Sequence, residues 1–308
     1  MPILVILVFM GLLNFFALSI FAFKFNAMLD ALKLMRIPFS IFLMPVFWFA
    51  LLVLEDIPIA ESIYIFIIIH LLIYPASNGY NSYFDKDEGS IGGLKKPPKV
   101  NQYLFTIVVC FDALAVVLAF ALSAQFAAMC AIYILVSKAY SWDKIRLKKY
   151  PILSTAVVTT FQGFFIYYTV QVGLGVYSNE TSNLVLAIAS SLFLLGSYPL
   201  TQVYQHEEDT ARGDITLSIK LGIKGTFVFS SIAFLAGTSL LGYSFVQQNN
   251  VNDFYLFLAL GAPILLYFGY WFKLVLINEN QANFEHTMKM NIISSIFLST
   301  AFISMIFF

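Results

Sequence analysis

"YLFTIVVCFDALAVVLAFAL", from Tyr103 to Leu122, is twenty residues with one acid and no base. A helix crosses the hydrocarbon of a bilayer with about 20 apolar residues, so this stretch is long enough to span one. Comparable runs recur on both sides of it. They lie near Ile37–Leu54, Ser62–Tyr80, Phe126–Ala139, Ile152–Gly173, Asn183–Tyr204, Thr226–Val246, Phe254–Phe272 and Asn291–Phe308, which makes nine spans. A further apolar run, Ile3–Phe23, precedes them and lacks the basic start and small-residue cleavage site of a signal peptide. The pattern predicts an all-α integral membrane protein. Residues 1–29 are expected to form an extra N-terminal hydrophobic helix and residues 30–308 a nine-helix membrane domain.

Composition agrees. Of 308 residues 60 % are hydrophobic and 11 % charged, whereas a soluble domain carries about 25 % charged residues. The neutral net charge excludes a nucleic-acid partner, which requires a basic face. Cys110 and Cys130 both fall inside apolar runs, so they read as small packing residues and not as a disulfide or thiolate metal site.

The basic residues orient the chain. All 17 Lys and Arg fall on one set of connections, among them Lys33, Arg36, Lys86, Lys95, Lys144, Arg146, Lys148, Arg212 and Lys224. The opposite connections, such as "EDIPIAE" and "GVYSNETSN", hold none. Basic residues mark the cytoplasmic side, so a multi-pass protein of the bacterial inner membrane is expected, with that side inward.

Two acidic stretches share the basic side. "YNSYFDKDEG" (Tyr80–Gly89) and "YQHEEDTARG" (Tyr204–Gly213) both carry Tyr, an amide, Asp and Gly at matching spacing, 124 residues apart. Charge runs are usually solvated loops, but these acids begin inside helical runs, where polar side chains are costly unless they face a cavity or each other. Asn81 and Asp85 share a helical face, and Thr201, Gln205 and Asp209 are expected to share another. Asp214 lies off that face and after Gly213, so it is expected to matter less. Opposed carboxylates repel unless a cation lies between them. Oxygen donors without His or Cys point to Mg²⁺, which takes one or two carboxylates and leaves its other positions to water and phosphate. The basic loop "SKAYSWDKIRLKKYP" (Ser137–Pro151) suits an anion beside it. Asp112 inside its span reads either as functional or as a packed structural acid, and His70 as a hydrogen bonder between helices.

At these residues the chain resembles the UbiA superfamily of intramembrane prenyltransferases. "NSYFDKDEG" is similar to its first motif through Asn81 and Asp85, and "QHEEDTARGDITLSIKLG" to its second through Asp209, Gly213, Thr216 and Leu217. "AYSWDKIRLKKYP" is similar to the loop between spans four and five through Tyr140, Ser141, Arg146, Lys148 and Pro151, and "LKLMRIPFS" to the start of span one. Gly89 stands where the first motif ends in an acid, and Gln205 where the second begins with one.

The resemblance implies Mg²⁺-dependent transfer of a prenyl group from a polyprenyl diphosphate to an electron-rich lipophilic acceptor within the lipid, such as an aromatic quinone precursor. It implies catalytic roles for Asp85, Asp209, Arg146 and Lys148, and substrate contacts from Asn78, Asn81, Tyr140, Ser141, Lys144, Gln205 and Thr216. It implies Mg²⁺ ligands among Asp85, Asp209, Asn81, Glu88 and Glu208. The missing acids leave open a catalytically impaired member acting as a binding or assembly subunit. A transporter is the other alternative, although transporter acids normally sit near the midplane.

Overall fold

The computed structural model describes residues 25–176 and 181–307. The run Ile3–Phe23 lies outside them, as does most of the expected helix over residues 1–29. The described residues form no strand.

Eight helices among them are long and apolar enough to cross a membrane. They are α1 (Phe25–Leu51), α2 (Ile59–Asp85), α3 (Gln102–Phe120), α4 (Ala124–Ser141), α7 (Thr181–Leu200), α9 (Leu217–Gln247), α10 (Val251–Ile277) and α11 (Phe284–Phe307). Between α4 and α7 the expected fifth span is built in contiguous pieces. These are α5 (Pro151–Thr159), a π-helical stretch Thr160–Phe165 and α6 (Ile166–Gly173). The short α8 (His206–Arg212) lies outside the apolar runs. The expected boundary at residue 30 falls inside α1, because "FNAMLDALKL" continues the helix N-terminally as a more polar turn.

Apart from the short α8, each helix packs on the next around a ring, and α11 closes it by packing on α1. α6 leans inward on α1 and α4. Helix ends carry the expected chemistry: Asn101, Ser123 and Thr216 cap α3, α4 and α9 by accepting hydrogen bonds from Tyr103, Phe126 and Ile219 N–H groups.

Several polar side chains inside the spans join neighbouring helices. His70, in a π-helical turn of α2 (Ile67–Ile73), hydrogen-bonds the Ser40 carbonyl of α1 at 3.1 Å. Ser191 of α7 donates to the Thr159 carbonyl and accepts from the Phe164 N–H, bridging the π-helical stretch beside α5. Asp112 of α3 pairs with Lys138 of α4 at 2.7 Å, and Lys138 also sits over the Tyr80 ring. Of the two cysteines only Cys130 packs inside. Cys110 is exposed on the outer face of α3, so the packing role expected for it does not hold.

Candidate active site

The ring encloses a cavity of about 420 Å³ whose two ends differ in chemistry. Its long wall is aromatic and aliphatic, including Phe39, Phe49, Phe161, Phe193, Phe257 and Phe302. Its other end is lined by Asp85, Asp87, Asp209, Asp214 and Lys148.

The first motif reaches this end on an unbroken helix. α2 runs to Asp85, and Lys86 takes a left-handed conformation (φ 53°) that turns the chain back and brings Asp87 to the cavity. The second motif arrives differently. α7 stops at Leu200, one residue after Pro199, and tight turns carry the chain through residues 201–205 into α8. The expected continuous face of Thr201, Gln205 and Asp209 is therefore broken. Proline lacks the N–H that would continue the ladder and crowds the carbonyl four residues back. Gly213 (φ 81°) ends α8 in a left-handed turn, which folds Asp214 back so that its N–H bonds the Asp209 carbonyl at 2.9 Å.

That turn corrects the expectation for Asp214. It is buried, lines the cavity and takes a two-pronged bond from Arg146, Nε to Oδ1 at 2.8 Å and Nη2 to Oδ2 at 2.6 Å. Arg146 itself holds a left-handed φ of 45°, an uncommon conformation for a residue with a Cβ. Lys148 bonds Asp85, while Arg212 donates to the carbonyls of Phe84 and Asp85 and lies 3.3 Å from Asp85 Oδ1. Asp143 joins the network from the rim, 2.9 Å from Arg146.

Charge in this cluster is uneven. Asp85 is ringed by Lys148, Arg212 and Arg146, yet its buried Oδ1 accepts no hydrogen bond. Asp209 forms no ion pair among the described residues. Burial, joined by repulsion from Asp214, Asp87 and Asp85 against the pull of Lys148, pushes its carboxyl up to about 7. Asp87 is pushed up to about 6 by burial and by Asp85. These acids are short of positive charge.

The remaining expected residues divide. Asn78, Asn81, Tyr140, Ser141, Gln205 and Thr216 line the cavity with Asp85, Asp209 and Lys148. Asn81 donates to the Ser141 hydroxyl at 3.0 Å, and the Tyr140 hydroxyl meets that of Tyr198. Arg146 stands behind the lining, reaching it through Asp214. Lys144 does not reach it and lies over the Trp142 ring, 5.6 Å from its centroid. Glu88 is exposed outside the lining. Glu208 is turned to the Gly89 N–H at 2.6 Å. Sequence reasoning discounted Asp214 and did not place Asp87 or Arg36 at the site; the Arg36 guanidinium lines the cavity and donates to the Asn78 carbonyl at 3.0 Å. Gly213 was the available signal for Asp214, since a glycine after a helix reverses the chain.

Among the described residues no three acid, His or Cys side chains converge as a ready-made metal cage. Mg²⁺ does not require one when substrate phosphates complete its shell. The orphaned Asp85 oxygen and the under-compensated Asp209 and Asp87 carboxyls fit such a cation.

Comparison with known proteins gives concordant results. Residues 42–293 match the model of the UbiA prenyltransferase family. The fold is similar to that of a UbiA homologue from Aeropyrum pernix K1, with TM-score 0.68 and 16 % identity, covering 87 % of this chain and 98 % of that one. It is also similar to a UbiA homologue from Archaeoglobus fulgidus bound to DMAPP and Mg²⁺, with TM-score 0.66 and 15 % identity over 90 % and 99 % of the two chains. A structure described with digeranylgeranylglyceryl phosphate synthase has TM-score 0.58 and 19 % identity over 92 % and 99 %. No curated protein sequence matches the chain.

Proposed function

This chain belongs to the UbiA prenyltransferase family, and from that premise we propose that it transfers a prenyl group from a prenyl diphosphate to an electron-rich lipophilic acceptor in the membrane. One observation carries the reading: a single cavity joins a charged rim at Asp85, Asp87, Asp209, Asp214 and Lys148 to a phenylalanine-rich interior. That shape matches a substrate with a polyanionic head and a hydrocarbon tail. The binding of DMAPP and Mg²⁺ by the Archaeoglobus homologue supports the same pairing of ligands.

Asp85 and Asp209, one from each motif, are the carboxylates that would hold Mg²⁺, with Asp87 and Asp214 beside them. Bound there, Mg²⁺ supplies Lewis-acid neutralisation of the charge that develops on the leaving diphosphate. Lys148 lies at the cavity wall and is placed to pair with diphosphate oxygens. Arg146 holds Asp214 by its fork and contributes its charge from behind. Asn81 and Ser141 offer hydrogen bonds to the head group, and Thr216 adds a hydroxyl at the start of α9. The aromatic wall excludes water, which would otherwise capture the allylic cation before the acceptor does. A quinone precursor with an electron-rich ring is the acceptor class we favour.

Orientation follows from the segregation of Lys and Arg. Both acidic motifs face the cytoplasm in a bundle of nine spans, with Pro151–Thr159 through Ile166–Gly173 forming the fifth. Reporter fusions at Lys95, Lys144 and Arg212 are expected to read as cytoplasmic and those at Ile57 and Asn250 as external. A cytoplasmic signal at Asn250 would break the span count. Residues 30–308 are the proposed catalytic unit, so deleting Met1–Phe23 leaves activity in place.

The deciding experiment incubates the full-length protein in nanodiscs with labelled prenyl diphosphates of graded length and a panel of aromatic acceptors, across a Mg²⁺ titration. Mg²⁺-dependent formation of a prenylated acceptor is expected. Label that never leaves the diphosphate with any acceptor, despite tight diphosphate binding, would favour a binding subunit instead.

A further inference from the structure

Gly89 and Gln205 are the two positions where the acidic motifs carry no acid, and the fold brings them together. The Gly89 N–H donates to Glu208 Oε1 at 2.6 Å, and Gln205 Nε2 donates to the Ser90 carbonyl at 3.3 Å. Both bonds tie the loop after α2 to the start of α8, across 119 and 115 residues of sequence. A Cβ at position 89 would run into the Glu208 carboxylate, so a side chain there requires Glu208 to swing away from the Gly89 N–H. An acid at 89 and the present placement of Glu208 exclude one another on this backbone.

The cluster needs such a tie. Asp85, Asp87, Asp209 and Asp214 line one end of the cavity from the two motifs and repel, and the loop bearing Asp87 is joined to α8 by no covalent link. Acids at 89 and 205 would add to that repulsion and could bridge these two positions only through a cation, leaving the Arg212 bonds to the Phe84 and Asp85 carbonyls as the direct tie between α8 and the end of α2. A carboxylate bonded to a backbone N–H, and an amide bonded to a carbonyl, need none. Hydrogen bonds to charged groups are also stronger than neutral ones.

We propose that Glu208, seconded by Gln205, is a positioning residue that clamps the loop at Gly89–Ser90 onto α8 and so assembles the two motifs before any metal arrives. The role of the assembled site rests on the prenyl-transfer reading above, while the clamp itself does not depend on turnover. Glu208 thereby acts on the backbone of the first motif and is not one of the metal's own ligands. The site it preorganises loses less freedom when Mg²⁺ and diphosphate bind.

Hydrogen exchange on the full-length protein in nanodiscs tests this, first in EDTA and then with Mg²⁺ and inorganic pyrophosphate. In EDTA the peptide covering residues 86–94 of the wild type is expected to be protected. Glu208→Ala should speed its exchange about tenfold or more, the size of effect expected for a bond to a charged group, with the spans unchanged. Glu208→Gln keeps an acceptor oxygen and should recover part of the protection. Should Glu208→Ala fail to fold, Glu208→Gln against the wild type carries the same comparison. Gly89→Asp combined with Glu208→Ala should leave the loop unprotected in EDTA and protected once Mg²⁺ and pyrophosphate are added. Equal exchange of the loop in wild type and Glu208→Ala, or a loop already unprotected in the wild type in EDTA, overturns the clamp. A protected loop in a protein that transfers no prenyl group supports the clamp and counts against the activity instead.

Discussion

The stretches Tyr74–Gly89 and Tyr198–Gly213 carry the same residues at the same spacing: Tyr-Pro, then Tyr and an amide, then Asp, then Gly. They fold differently. After Pro75 the helix continues to Asp85, whereas after Pro199 it ends at Leu200 and restarts as α8 at His206. The residues before each proline account for this. A π-helical turn, Ile67–Ile73, widens α2 just ahead of Pro75, so the missing N–H falls in the first turn of the resumed α-helix, where it is tolerated. α7 is α-helical up to Pro199, which then sits inside the ladder and stops it. The consequence is chemical. Asp85 arrives on a rigid helix among three basic side chains, and Asp209 arrives on a short segment with no ion pair among the described residues.

The harshest way to break the comparison is to remove one charge from each region. Asp85→Asn and Asp209→Asn are each expected to lower kcat by about a hundredfold or more, the scale set by losing a preorganised electrostatic contact. Prenyl transfer at matched protein levels measures it. Activity kept in Asp209→Asn alone would mean that the first motif holds the cation by itself. The next largest effect falls on the pair that joins the loop after α4 to the second motif. Arg146→Ala leaves the buried Asp214 carboxylate with Lys148 alone, at 3.7 Å, and breaking a buried pair from one side costs up to about 3–5 kcal/mol. A clear drop in Tm in detergent is expected. Arg146→Lys should restore little of it, since an ammonium cannot form the two-pronged bond.

The prolines sharpen the comparison directly. Pro199→Ala lets α7 extend through the turn at residues 201–205 and is expected to cost about tenfold in kcat, the equivalent of ~1.4 kcal/mol in the barrier. Pro75→Ala should change kcat by less than about twofold, because a first-turn proline can be replaced without moving the helix. Equal effects would show that the break in α7 has another cause.

The smallest effect is a pH dependence led by Asp209 of the second region and shared by Asp87 of the first. Asp209 is pushed up to about 7 and Asp87 to about 6, above their values in an unfolded chain. The folded metal-free protein therefore holds more protons between roughly pH 4 and 7, and these groups make it less stable as pH rises through that window. Thermal unfolding with EDTA should show Tm falling from pH 5 to pH 7, and Mg²⁺ with pyrophosphate should flatten the slope. A flat profile in EDTA would mean that the two carboxyls are already compensated.

Much of this molecule is legible in the sequence because its solvent is lipid. A span must satisfy its own backbone and show apolar side chains outward, so length and hydropathy expose the helices directly, and the spacing of Asn81 and Asp85 along one helix can be read without a fold. Asp214 could not be read this way. Its burial depends on a left-handed turn at Gly213 and on an arginine 68 residues away, and neither is a local periodicity. The break after Pro199, with a like proline tolerated at 75, depends on how wide the preceding helical turn is, which packing decides. The meeting of Gly89 with Glu208 is likewise invisible along the chain, since their sequence separation says nothing of distance in space. Local patterns determine which segments are helices and which face of each is apolar. Only the closing of the ring, where α11 meets α1 and the two motifs are pressed to one end of one cavity, decides which polar residues touch.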